Sequence, residues 1–171
     1  TLLPGEIPST LTLYILSQDI NGNLTNASDA LKQNLQTYLA QYRVIGDSIN
    51  IKNAFYINIG INFDITVRPN FNSNDVLRNC IRALQTYFNL NNWQINEPIQ
   101  KKEIFLLLDK IQGVQTVKQV TFTNKVGGNY SQYAYDLEGA TLNDVIYPSI
   151  DPMIFEVKFP NTDIKGKVVN L

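Results

Sequence analysis

From residue 54 to residue 68 the chain alternates almost without interruption. Phe55, Ile57, Ile59, Ile61, Phe63, Ile65 and Val67 are apolar, while Tyr56, Asn58, Gly60, Asn62, Asp64, Thr66 and Arg68 stand between them. A period of two over this length predicts one long strand with an apolar and a polar face. At roughly 3.3 Å per residue it would run about 45 Å, well beyond an ordinary strand. Such a strand needs a cover on its apolar side and leaves a face or an edge free for a partner.

Around it the period changes. Leu11–Ser17 reads as a strand, and Asn21-Gly22 marks a turn. Ser28 caps a predicted helix reaching about Arg43, with Leu31, Leu35, Tyr38, Leu39 and Tyr42 as its stripe. Ile49 and Ile51 suggest a separate short strand before the long one, which Arg68-Pro69 ends. Asn72 or Ser73 opens a second helix carrying Leu77, Cys80, Ile81, Leu84, Tyr87 and Phe88 on one face, with Asp75 favourably placed in its first turn. Pro98 suits the first turn of a third helix with Ile104, Leu107, Leu108 and Ile111 inward and Gly113 just past its end. Val114–Thr123 is a strand, Gly127-Gly128-Asn129 a turn, and Tyr130–Asp136 a candidate return strand. Met153, Phe155, Val157 and Phe159 alternate in a last strand that Pro160 breaks, leaving a tail from Lys165 that either adds a short strand or frays.

This order predicts an α+β fold: a mixed, largely antiparallel sheet with about three helices packed on one face. The expected organisation is an irregular lead-in over 1–10, an α+β core over 11–125, and a hairpin with a C-terminal strand over 126–171 packed on or beside that core. The start at Thr1, without Met, leads to the expectation of a piece of a longer protein.

Composition removes more functions than it suggests. Histidine is absent, which takes away imidazole acid–base chemistry, Ser-His-Asp and Cys-His nucleophiles, and the commonest metal ligand. The single cysteine, Cys80, forms no internal disulfide, builds no thiolate zinc site, and falls on a predicted apolar face. Net charge is −1, and Lys101-Lys102 is the longest basic run, so nucleic-acid binding is not expected. No apolar run approaches the roughly 20 residues that span a bilayer. Asparagine is abundant even inside periodic segments, so the sequons at Asn23, Asn26 and Asn129 are chance matches. Asp19-Ile-Asn21-Gly-Asn23 resembles the start of a calcium loop, but its glycine comes too early and Ala30 stands where a bidentate Glu is required. No catalytic, cofactor or metal site is therefore expected, and no small-molecule substrate. The candidate contact residues are Asn58, Asn62, Asp64 and Thr66 on the polar strand face, and Tyr130, Tyr133 and Tyr135 as aromatic anchors after the Gly-Gly turn.

The order and spacing of Leu31–Gly46, Ala54–Pro69, Val76–Phe88, Ile99–Ile111 and Ile111-Gln-Gly-Val-Gln-Thr-Val-Lys-Gln-Val120 resemble the C-terminal region of the baseplate J-like proteins of contractile phage tails. The closing Tyr147-Pro-Ser-Ile-Asp-Pro-Met-Ile-Phe-Glu-Val-Lys-Phe-Pro looks more like the long baseplate wedge proteins of myoviruses related to the T-even coliphages. The resemblance implies a structural virion protein, located in the tail baseplate and assembled in the host cytoplasm. It implies a homodimer that joins an inner ring around the hub with other wedge proteins, and no catalytic residues. The alternative is a carbohydrate- or receptor-binding surface module with exposed tyrosines and Trp93 as platforms.

Overall fold

The computed structural model describes residues 10–42 and 48–170. The chain divides into two compact units, Thr1–Ala54 and Phe55–Leu171. In the first, β1 (Thr10–Ile15) is followed by a hairpin of β2 (Ser17–Gln18) and β3 (Leu24–Thr25), helix α1 (Asp29–Ala40) and β4 (Ser48–Asn53). β1 and β4 pair in parallel, Thr10 opposite Ser48 through Ile15 opposite Asn53. The hairpin turns at Gly22, whose φ of 81° favours glycine. The Asp19 carboxylate accepts from the amides of Asn21 (2.8 Å) and Asn23 (2.9 Å). These bonds make the Asp-x-Asn-Gly-Asn run a turn closed by its own side chain. Ser28 caps α1 by accepting from the amide of Leu31. The expected end of this helix at Arg43 lies outside the described residues, as does the lead-in before Thr10.

The second unit is organised by β5 (Phe55–Val67), the long alternating strand. The later elements follow as α2 (Ser73–Tyr87), β6 (Ile99–Gln100), α3 (Lys101–Asp109), β7 (Val114–Asn124), β8 (Thr141–Leu142), β9 (Val145–Ile146), β10 (Met153–Glu156), α4 (Pro160–Asp163) and β11 (Ile164–Val168). One edge of β5 pairs antiparallel with β7, and its other edge is shared by two parallel strands. β10 takes Phe55–Asn58 and β11 takes Ile61–Ile65. Between them α4 forms a single turn begun by Pro160, so the eight-residue step from Glu156 to Ile164 matches the three-residue step from Asn58 to Ile61. The fold is α+β with mixed sheets, as the element order predicts.

Alternation explains one side of β5. Ile57, Ile59, Ile61, Phe63 and Ile65 are buried. α2 packs on β11 and α3 on β7, and the two helices touch one another. Val76, Cys80 and Leu84 are the buried residues of α2; Ile104 and Leu108 are those of α3. Burying side chains of this size contributes about 1.5–3 kcal/mol each. Gly166 on β11 admits this packing, because a Cβ there would clash with the Phe63 ring and lie 2.7 Å from Leu77. Gly113, with φ of 97°, ends the α3 region, and a Cβ there would meet Val76 at 2.6 Å.

From the 126–171 segment, β10 and β11 complete the sheet around β5, and all four residues of β10 are buried. Two expectations are corrected. Pro98 does not open a helix. Ile99–Gln100 pairs with β9 first, and the helix starts at Lys101, whose amide donates to the Asp144 carbonyl (2.9 Å). Tyr130–Asp136 forms no strand; its backbone and side chains bond to the sheet as a folded loop.

Candidate functional site

The polar face of β5 splits into two halves. Asn58 has 0 % exposure and Thr66 2 %, so neither offers itself to a partner, which corrects the expected four-residue contact face. The reason is that β5 is a central strand with a second cover on this side. Asn62 is exposed, and Asp64 forms a 3.6 Å ion pair with Lys167, its register partner on β11. A pair as open as this contributes little to stability.

Over Asn58 lies a buried polar network. The Asn58 side-chain amide donates to the Glu156 carboxylate (2.6 Å), and its carbonyl oxygen accepts from the Ser131 amide (2.6 Å). Asn58, Ser131 and Glu156 are all buried. The Lys125 amide donates to the Asn58 carbonyl (2.9 Å), so one residue of β5 holds both ends of the loop that opens at Lys125. Gly127 and Gly128 turn this loop with φ of 77° and 58°, closed by a bond from the Tyr130 amide to the Gly127 carbonyl.

The three tyrosines of the loop pack against different partners, Tyr130 and Tyr135 largely inward. Tyr130 donates its hydroxyl to the buried Asp163 (2.7 Å), whose other oxygen accepts from the Phe159 amide (2.9 Å). This bond to a carboxylate, helped by burial, pushes the Tyr130 hydroxyl up to about 12. Tyr135 donates to the Tyr147 carbonyl (2.7 Å) and sets its ring against Phe155. Burial, with Asp136 nearby, raises its pKa. Tyr133 stays exposed while meeting Phe55 edge-on at 4.9 Å. These contacts make the loop a latch across the sheet. Ser131, Glu156 and Asp163 escaped the sequence reading. The available signal was one carboxylate inside an apolar strand, Met153-Ile-Phe-Glu-Val.

A second feature lies between α2, α3 and the loop after α2. It is an open cleft of about 500 Å³ lined by Ala83, Thr86, Tyr87, Asn92, Trp93, Glu97, Glu103 and Leu107. Trp93 stacks on Phe88 (5.4 Å between centroids, 6° between planes) and donates its indole N–H to the Tyr87 carbonyl (3.0 Å). It is 9 % exposed, which removes it as a free sugar platform. Tyr87 donates to Glu103 (2.9 Å), and Glu97 accepts from the Gln94 amide (2.8 Å). Burial and these carboxylates raise the Tyr87 pKa, so its hydroxyl stays a donor. Among the described residues no three His, Cys, Asp or Glu side chains are placed to hold a metal ion, and no helix is long and apolar enough to cross a membrane.

In the first unit, no residue of α1 is buried. Its stripe leaves Leu31 47 %, Tyr38 56 % and Tyr42 70 % exposed. Leu35 and Leu39 of the same expected stripe are half-buried, and α1 packs on β4.

No protein family matches the chain, and no curated protein does. Among solved structures it is similar to a chain in the cryo-EM structure of the anti-feeding prophage (AFP) baseplate, 6-fold symmetrised. The TM-score is 0.53 at 12% identity, over 86% of this chain and 29% of that one. At this identity the likeness is one of fold: the arrangement described above also occurs within a much longer baseplate chain.

Proposed function

We propose that this chain is a structural assembly module of a contractile-tail baseplate, a part of a wedge protein rather than an enzyme. The observation that carries the reading is the fold shared with a chain of the anti-feeding prophage baseplate. On this reading the baseplate J-like resemblance of the sequence reflects the same architecture. The module pairs with a second copy, joins a ring around the hub, and meets other wedge proteins in the virion tail. The exposed apolar stripe of α1 supports an assembly role, since a surface helix normally turns such a stripe to a cover. Asn62 and Asp64 remain as polar contact candidates, and Tyr133 as an aromatic one.

The test is sedimentation velocity of the full-length protein over a wide concentration range, alone and with wedge partners. Self-association is expected, and it should weaken when Leu31 and Tyr38 are both replaced by Lys while circular dichroism stays unchanged. A protein that stays monomeric at high concentration in both settings would defeat the proposal.

A further inference from the structure

We propose that the first unit joins a second copy of itself edge to edge, β1 against β1 about a two-fold axis, with the two α1 helices meeting above the joined strands. The pairing rests on the self-association proposed above and names its surface. Among the described residues β1 and β4 pair only with each other, and the buried hydrophobic side chains of this unit are Leu24, Ala27 and Ala54. A two-stranded sheet under one helix buries too little to stand alone, so it gains from being extended.

The register shows which edge is open. The Ala54 amide donates to the Ile15 carbonyl (2.9 Å), and Ile15 stands opposite Asn53. In a parallel ladder the main-chain groups of Leu11, Leu13 and Ile15 then face β4, while those of Thr10, Thr12 and Tyr14 face outward. On β4 the outward set is Ile49, Ile51 and Asn53, and that edge is already engaged: the Gln36 side-chain amide donates to the Ile49 carbonyl (2.9 Å). β1 has no such guard. Thr10-Leu-Thr-Leu-Tyr-Ile15 carries neither charge nor proline, whereas β4 carries Lys52, β7 Lys118, and β11 Lys165 and Lys167. Charged side chains are a common means of keeping an edge from pairing.

The helix points to the same side. Gln36 reaches the outer edge of β4 from one flank of α1. Leu35 and Leu39 come next around the helix and are half-buried, and Leu31, Tyr38 and Tyr42 follow on the opposite flank, the one toward β1. Leu11 on β1 is 63 % exposed, since α1 packs on β4. A lone added strand would satisfy the edge and leave the stripe bare; a lone helix would do the reverse. A second copy supplies both, because a two-fold axis normal to the sheet makes four strands, β4-β1-β1-β4, with both helices on one face. With strands about 4.8 Å apart the helix axes come within roughly 10–14 Å, a gap suited to leucine and tyrosine side chains from each side.

Residue-resolved hydrogen exchange on the full-length protein at rising concentration, beside sedimentation velocity, tests this surface. The Thr12 and Tyr14 amides should slow about tenfold or more as copies associate, while the Ala54 amide, bonded within the unit, stays unchanged. Thr12→Pro removes an outward N–H without touching the bonds to β4 and should weaken association about tenfold. Leu11→Lys, at a position already exposed, should weaken it similarly without altering the main chain. Association that leaves both amides exchanging freely, or that neither variant diminishes, would overturn this surface and leave self-association standing by another route. Protection that appears only when wedge partners are added would overturn a second copy as the occupant. A monomer under every condition would defeat the surface and the self-association together.

Discussion

Replacing Asn58 by Ala tests whether the polar face of β5 is interior or interface. Asn58 is wholly buried, and its side chain makes two 2.6 Å hydrogen bonds, to Glu156 and from Ser131. Truncation removes a donor from a buried carboxylate and leaves a buried amide without its acceptor. Each loss costs about 1–3 kcal/mol, and the vacated side-chain volume adds a cavity term. The expected destabilisation is roughly 3–5 kcal/mol, a large part of the about 5–15 kcal/mol that holds a typical domain together. The assay is urea unfolding followed by Trp93 fluorescence, with limited proteolysis of the loop after Lys125 in parallel. Glu156→Gln keeps an oxygen acceptor for the Asn58 amide and should cost distinctly less. A loss below about 1 kcal/mol for Asn58→Ala, accompanied by weakened self-association, would refute the reasoning and restore Asn58 to the surface.

Other perturbations have equally definite outcomes. Tyr130 titrates near 10.0 when unfolded and near 12 in the fold, so the fold favours the neutral hydroxyl. Its contribution is complete below pH 10 and disappears as pH rises through 12; thermal melts should therefore decline more steeply over that range in the wild type than in Tyr130→Phe. Gly166→Ala places a methyl against Phe63 and Leu77 and should cost about 1–3 kcal/mol in the same urea assay, an effect absent for Ala at the exposed Lys165. Burial raises the Cys80 thiol from 9.0 to about 11, so a disulfide-based thiol reagent at pH 8 should label it only as fast as the protein unfolds.

The legible parts of this fold are those governed by local periodicity. The 55–67 alternation gave a single strand, and the stripe of α2 lay where its spacing put it. Asn72 caps that helix by accepting from the amides of Asn74 and Asp75, as a short polar side chain before an apolar run should. What stayed hidden depends on distant pairing. Pro98 looks like a helix opener until β9, far along the chain, claims Ile99 as a strand partner. Asn58 and Thr66 look solvent-facing because alternation identifies two faces without saying how many are covered. The latch was invisible for the same reason, since Tyr130 meets Asp163 through tertiary structure alone. The cleft was legible only as separate residues, with Trp93 and two glutamates in neighbouring segments.

The placement of β10 and β11 bears on the order in which the chain is made. Phe55–Ile65 leaves the ribosome well before the strands that close one of its edges; Asn58 waits 98 residues for Glu156. During that interval an apolar strand presents unpaired main-chain groups to any neighbouring nascent chain. Pairing across so long a loop is also slow. Synthesis that stops before Met153 would therefore release a sticky product rather than a shortened but working module. β10 and β11 thus act as a checkpoint in synthesis: only a chain read as far as Val168 can hide this spine.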